Sequence, residues 1–423
     1  MRDLKTAAAE TLKKLRSLGI IEKVDNYSER FYDEPRYFYF GTLLSSAYEK
    51  ILDENYYYNS EPSVGVGISF QSPHHALIKS LMESIERFCQ RSVPVKKIRY
   101  SQNMDISLLH PPFFYVKRPD KETMLGWIEG RDMITGKNTD IPAQYVFLDS
   151  YHAYTHNSEP LLTPDMSTGT AAGFKEYDVI LKGICEIIER DALMSLYLNS
   201  IPLNPLVPES IPYNSVISII KSCERYLLTP FIFLLQTDLG IPVAMTILVD
   251  KTGYGPAVCV GAGCSIEIEQ ALIHSIEESL AFRFLIRRKM NELRTIDFDV
   301  RPSEITDNTH MQMYWSNRER VKDLSFWLEP EKREYTEPNR FVTDLDDVIL
   351  LCKNKSIPLY DIDITPEVIR KTGISAHRII MPTLQPFYAD RTQPFINKKR
   401  IMELSGYYNK HTFTLNHIPH PIP

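Results

Sequence analysis

No stretch of this sequence approaches the roughly 20 apolar residues that a membrane-spanning helix needs. The first residues, MRDLKTAAAETLKKLRSLGI, place a charge every few positions and lack the apolar core of a secretory signal. They read as a surface amphipathic helix ending near Gly19, so the chain is expected to be cytoplasmic, with no membrane partner. Basic residues are not in excess: 48 Lys and Arg stand against 54 Asp and Glu, and the net charge of −6 offers no footprint for nucleic acid. The cysteines (Cys89, Cys185, Cys223, Cys259, Cys264 and Cys352) include no C-x-x-C pair, which removes the usual zinc and dithiol motifs. Most sit in apolar company and are expected to be buried thiols. The common nucleotide and hydrolase signatures are missing too. GRDMITGK (130–137) has the wrong glycine spacing for a P-loop, and Asn138 follows the lysine where Ser or Thr is required. There is no G-x-G-x-x-G ahead of a helix with an acidic residue downstream, no H-E-x-x-H and no G-x-S-x-G.

What the chain does have is a repeated pattern. Its 423 residues allow two or three domains or one large one, and 43% hydrophobic with 24% charged residues is ordinary for a globular protein. GVGISFQSPHHALIKSLMESIER (65–87), GTAAGFKEYDVILKGICEIIER (169–190) and GAGCSIEIEQALIHSIEESLAFR (261–283) each open on small residues and pass through a polar turn. Each then enters a helix with acidic residues and an arginine at its far end. Strand-like runs VAMTILVD (243–250) and AVCVGAG (257–263) precede the third copy, and FIFLLQ (231–236), IPLYDIDIT (357–365) and HRIIMPTLQPF (377–387, broken by Pro382) are further strands. The expectation is an α/β body, layered in the α+β manner, built from strand–loop–helix units. The polar stretch 288–340 is expected at the rim, and the Tyr-rich DEPRYFYF and NYYYNSEP against the core or a second copy of the chain.

Two carboxylate pairs break the apolar pattern. Glu83 and Glu86 lie among Leu81, Met82, Ile85, Phe88 and Cys89, and Glu186 and Glu189 among Ile184, Cys185, Ile187, Ile188 and Leu193. Residues three apart share a helix face, so each pair projects in one direction. Solvent-exposed pairing with Arg87 and Arg190 is one reading. The other converges four carboxylates in a partly buried place, where they cannot all stay ionised without compensation. Divalent cations with oxygen ligands supply it, Mg²⁺ brings phosphates with it, and the arginines at the helix ends suit those phosphates.

STGTAAG with E-x-x-E-R-D (167–191), M-E-S-I-E-R (82–87) and GAG…AL…E-x-R (261–283) together resemble the YcaO superfamily over roughly residues 60–423. The resemblance implies a YcaO-type fold, with 1–60 as an N-terminal edge segment of the same body and 61–423 as the catalytic domain. It implies binding of ATP and Mg²⁺, and activation of a peptide carbonyl oxygen by phosphorylation. By position, Glu83, Glu86, Glu186 and Glu189 stand as magnesium ligands, and Ser80, Arg87, Asp178, Arg190 and Arg283 as nucleotide-binding residues. Lys79, Phe174 and Ala281 depart from the family's pattern.

The sequence closes on HIPHPIP. A proline-rich end is ordinarily a disordered tail or a polyproline ligand for a partner. This P-x-P-x-P ending also resembles that of azoline-forming YcaO cyclodehydratases, whose tail reaches the active site, and this implies Pro423 as the bearer of a catalytic general base. The resulting expectation is an ATP-dependent peptide cyclodehydratase acting on a ribosomally made precursor. Its expected partners are a ThiF-like leader-binding protein, a flavin-dependent dehydrogenase acting after it, and a second copy in a homodimer. A YcaO enzyme making thioamides, or a non-catalytic accessory protein of the same fold, is the alternative.

Overall fold

The computed structural model describes residues 4–28, 33–47, 51–58, 63–102, 122–148, 159–163, 165–292, 300–338, 342–388 and 394–422. Helix α1 (Leu4–Ser17) leads into strands β1 (Ile21–Asn26), β2 (Phe38–Leu44) and β3 (Val64–Ser69), followed by α2 (Pro73–Arg91). Strands β4 (Arg99–Ser101), β5 (Leu125–Asp132), β6 (Asn138–Pro142) and β7 (Thr170–Gly173) precede α3 (Glu176–Leu198). Then come α4 (Asn214–Arg225), β8 (Leu228–Leu235), β9 (Val243–Asp250), β10 (Val258–Cys264), α5 (Ile268–Glu292) and α6 (Asn308–Ser316). After α7 (Leu345–Lys355) follow β11 (Tyr360–Asp363), β12 (Ser375–Ile380) and α8 (Lys398–Gly406).

The chain divides into two compact units. The first comprises Met1–Arg30, Tyr37–Ile187 and Asp344–Thr383, the second Phe31–Arg36, Ile188–Thr343 and Leu384–Pro423. In the first unit β1, β2 and β3 form an antiparallel sheet, and a second antiparallel sheet runs in the order β4-β5-β11-β12-β7, with β6 on β5. Its core is the apolar face of α2 (Leu81, Ile85, Phe88, Cys89) packed with Trp127, Ile128, Ile362 and Ile380. Ser72 starts α2 by accepting from the His75 N–H, and Pro73 fills the first helical position, where an N–H is not needed. The P-loop-like string GRDMITGK ends β5 and makes the turn into β6: Asp132 receives the Ile134 N–H, and Gly136 adopts the positive φ of +71° that the turn requires.

The second unit repeats the first sheet's construction. Strands β8, β9 and β10 form an antiparallel sheet, and α5 lies on it as α2 lies on β3. A Cβ at Gly67 would stand 2.0 Å from the Ala76 carbonyl oxygen, and one at Gly263 would stand 2.2 Å from that of Ala271. Gly65 meets Ser80 and Ser84 in the way Gly261 meets Ser275 and Ser279. Opposite Gly65 is Thr42, bonded to Ser80; opposite Gly261 is Thr246, bonded to Ser275. Sequence similarity between residues 65–87 and 261–283 therefore reflects one packing solution used twice, with small residues where strand and helix backbones touch. Tyr197 and Phe233 pack around the wholly buried Trp327, whose indole N–H donates to the Ile201 carbonyl.

The strand expectations hold closely at 243–250 and 257–263, and β12 stops ahead of Pro382 as that residue's missing N–H demands. All six cysteines are free thiols. Residues 59–62, 293–299 and Pro423, on which parts of the sequence reading fall, lie outside the described residues. Among the described residues no helix is long and apolar enough to cross a membrane.

Candidate functional site

Helices α2 and α3 each follow a strand, and a backbone N–H within β3 or just ahead of β7 reaches a carboxylate seventeen residues on. The Val66 N–H donates to Glu83 at 2.9 Å, and the Gly169 N–H donates to Glu186 at 3.1 Å. In the second unit the Ala262 N–H donates to Glu278 in the same manner. This third anchored glutamate escapes a reading based on E-x-x-E spacing, because Ala281 stands where Glu86 and Glu189 stand in the other copies. Its signal in the sequence is its place after G-A-G. The third copy is one residue shorter between anchor and carboxylate, so its register differs. Four residues beyond the anchored carboxylate come Arg87, Arg190 and then Phe282, and Arg283 lies about 100° further round its helix.

In the first unit, Glu83, Glu86, Arg87 and Glu186 come together. Arg87 stands 3.7 Å from Glu83, and Lys182 stands 3.9 Å from Glu86. The Glu83 side chain keeps 28% of its surface exposed and that of Glu86 only 10%, so the cost of charging falls more heavily on Glu86. Burial raises the Glu86 carboxyl from 4.5 to about 8 against the pull of Lys182 and Arg87, with Glu186 and Glu83 adding to the rise. Burial also raises Glu83, opposed by Arg87 and the Val66 N–H. Burial would lower Arg87, but Glu86, Glu83 and Glu186 hold it above its ordinary value.

Arg378, on β12, is a further residue that the sequence reading did not single out. It is 5% exposed, and burial lowers it to about 10 despite the favourable field of Glu186 and Glu86. It donates to the carbonyls of Tyr145 and Thr168 and to the Thr170 hydroxyl, holding the strand entry from which Gly169 reaches Glu186. Ser80 is fully buried, with its hydroxyl bonded to Thr42 and the Gly65 carbonyl. Asp178 is exposed in the first turn of α3, 3.7 Å from Lys175.

In the second unit Glu189 is 8% exposed, and Arg190 stands 3.9 Å from it and 3.5 Å from Glu278. The Arg190 guanidinium also lies over the Phe387 ring, 5.7 Å from its centre. Arg283 has a different environment. It is 2% exposed, bonded to Asp250 at 2.6 Å and ion-paired with Glu34 at 3.2 Å. Gly255 lies so close that a Cβ there would stand 2.3 Å from an Arg283 nitrogen. Asp191, next to Arg190, is clamped by Arg400 and by the Gln385 N–H, and Arg400 also holds Asp238.

The clustered donors are carboxylate oxygens, the set that a hard divalent cation takes. Among the described residues no three acidic, His or Cys side chains already stand around one point as a metal site would require. Lys182 and Arg87 occupy the counter-charge positions in the first unit, and carboxylates without a cation between them repel one another.

The family model for YcaO cyclodehydratases, described as ATP- and Mg²⁺-binding, matches residues 69–385. Among solved structures, one titled as a heterocyclase in complex with substrate and cofactor aligns over 98% of this chain at TM-score 0.72 and 15% identity. YcaO from Methanopyrus kandleri, bound with AMPPCP and Mg²⁺, aligns over 93% of this chain and 94% of its own at TM-score 0.67 and 17% identity. The E. coli microcin synthetase McbBCD complex with pro-MccB17 bound gives TM-score 0.59 at 14% identity, over 85% of this chain and 88% of that one. At such identities the likeness is one of fold. A Rhizobium leguminosarum bv. trifolii protein encoded in the tfuA 3′ region is 27% identical over 168 residues, 37% of this chain. The chain spans 57% of the heterocyclase and 38% of the Rhizobium protein.

Proposed function

The chain belongs to the YcaO family, with ATP and Mg²⁺ as its cofactors, and from that premise we propose that it is a cyclodehydratase forming azolines in a ribosomally made precursor peptide. The observation that carries the reading is the group of carboxylates Glu83, Glu86 and Glu186, partly buried except for the buried Glu86, with charging resisted at Glu86 and with Lys182 and Arg87 as the cations paired to Glu86 and Glu83. Such a group is costly in a chain that binds no cation, and suited to one that does.

In this reading Glu83, Glu86, Glu186 and Glu189 would hold magnesium, whose charge would offset that of the phosphate oxygens of ATP. Arg87 and Arg190 take the phosphates, as planar guanidinium groups do well. Asp178, exposed at the start of α3 beside Lys175, would contact the nucleotide. Ser80 shapes the helix–strand contact beneath, and Arg283 braces the second unit through Asp250 and Glu34. A Cys thiol or a Ser or Thr hydroxyl of the substrate attacks the carbonyl carbon before it. The nucleophile loses its proton as its bond to that carbon forms, and the resulting oxygen receives the γ-phosphoryl group with release of ADP. Breaking of the carbon–oxygen bond then expels phosphate as the amide nitrogen gives up its proton and forms the C=N bond of the ring. The chain contributes positioning and charge compensation. Pro423 as bearer of the general base rests on the resemblance of the tail. The microcin synthetase assembly, titled with pro-MccB17 bound, supports a peptide substrate and partner proteins, here a ThiF-like leader-binding protein; a flavin-dependent dehydrogenase follows where the azoline is oxidised.

The test is a reaction with the precursor peptide, the partner, ATP and Mg²⁺, read by mass. Each ring lowers the peptide by one water, and heavy oxygen placed in the substrate carbonyl emerges in phosphate. Heavy oxygen retained in the peptide, or a mass gain matching oxygen-for-sulfur exchange, overturns azoline formation.

A further inference from the structure

Residues 419–422 are buried in the second unit, although two of the four are prolines with no N–H to donate. The segment is therefore held through its carbonyls and side chains. The Tyr197 hydroxyl donates to the Pro419 carbonyl at 2.8 Å, and Tyr197 itself is wholly buried. His420 is 2% exposed, with Nε2 2.6 Å from the Tyr388 carbonyl. A carbonyl only accepts, so the contact with Tyr388 is one in which Nε2 donates, and Nδ1 faces the Ile422 carbonyl at 3.2 Å. Phe387 and Tyr388 meet the imidazole edge-on, at centroid distances of 5.2 and 5.5 Å. Pro421 and Ile422 close a small cavity lined by Val260, Phe282, Met311 and Trp315.

The same aromatic ring serves two masters. Phe387 bears on His420 from one side, and the Arg190 guanidinium lies over it at 5.7 Å, within cation–π range. Arg190 and Tyr197 are seven residues apart on α3, two turns along the same face. One face of this helix thus holds the tail directly through Tyr197 and indirectly through Arg190, Phe387 and His420.

We propose that Phe387 and His420 are positioning residues that fasten residues 419–422 to the part of α3 carrying Arg190, so that tail docking and nucleotide binding are coupled. The coupling rests on the proposed role of Arg190 as a phosphate ligand; the fastening by His420 does not. A phosphate that fixes the guanidinium also fixes the ring beneath it. A ring with less freedom gives His420 a firmer seat, and the effect is reciprocal, since a docked tail favours the arginine position that nucleotide uses.

Hydrogen exchange of the His420 and Ile422 amides in the full chain, read by mass spectrometry, tests both parts. His420→Ala is expected to speed their exchange about tenfold or more, and His420→Gln, whose amide can donate to the Tyr388 carbonyl, to recover most of the protection. In the wild-type chain AMPPCP with Mg²⁺ is expected to slow the same exchange several-fold. In Phe387→Leu, which keeps an apolar side chain but no ring, it does not, although calorimetry still registers AMPPCP binding to that variant. Tail exchange in His420→Ala equal to wild type overturns the fastening. A nucleotide response in Phe387→Leu equal to wild type overturns the coupling. Failure of the wild-type chain to bind AMPPCP and Mg²⁺ at all overturns the role of Arg190, and with it the coupling, and is told apart by the calorimetry alone.

Discussion

At Glu86, burial and two neighbouring cations oppose each other, and burial prevails: the carboxyl titrates near 8 rather than 4.5. The neutral form therefore favours the folded chain. That contribution is complete below the unfolded value and is lost as the pH rises through the folded one. Glu86→Gln keeps the shape and removes the titration, so its stability relative to wild type is expected to climb with pH between about 5 and 8, by roughly 1 kcal/mol per unit in the absence of Mg²⁺. Urea unfolding at a series of pH values measures this, and a difference that stays flat over that range contradicts the assignment. The sequence made the four glutamates legible, because a carboxylate pair three apart in apolar company is conspicuous. It gave no such clue to Lys182, Arg378 or Glu278. Arg378 sits in an ordinary strand string, Lys182 is one of many lysines on helices, and their importance comes from contacts that only folding creates.

At the scale of elements, the two strand-on-helix layers depend on glycines whose missing side chains admit the helix backbone. A Cβ at Gly261 would stand 2.2 Å from the Ser279 nitrogen and 2.3 Å from the Ser275 oxygen, both backbone atoms that cannot swing away. Gly261→Ala is expected to destabilise by about 3 kcal/mol or more. Gly406→Ala, at the end of α8 with nothing within 4 Å, is expected to be neutral or stabilising by up to about 1 kcal/mol. Denaturation midpoints compare the two, and equal effects would remove the packing account of the repeat. The strands on either side of the β9–β10 turn were readable from their apolar runs. The one-residue difference in register that separates Arg283 from Arg87 and Arg190 was not, because an acidic-then-basic helix end looks alike in all three strings. Arg283 pairs with Asp250 and Glu34, partners distant in sequence.

At the scale of the whole molecule, the family match and the structural likeness extend over most of the chain, while the tail, peptide and partners enter through resemblance. The isolated protein is expected to hydrolyse ATP slowly, with at least about tenfold stimulation by precursor peptide together with a ThiF-like partner, since binding energy from the peptide is what positions the reacting carbonyl. Steady-state phosphate release measures it, and a fast rate without peptide speaks for a different reaction. The central claim is that the glutamates of α2 and α3 hold magnesium and, through it, nucleotide. Calorimetric titration of the folded chain with AMPPCP, with and without Mg²⁺, tests it most directly. The account predicts Mg²⁺-dependent binding in the wild type and its loss in Glu186→Gln and in Glu189→Gln, each of which removes a charge while keeping the side-chain volume. Nucleotide affinity unchanged in both variants, or indifferent to Mg²⁺ in the wild type, would contradict it.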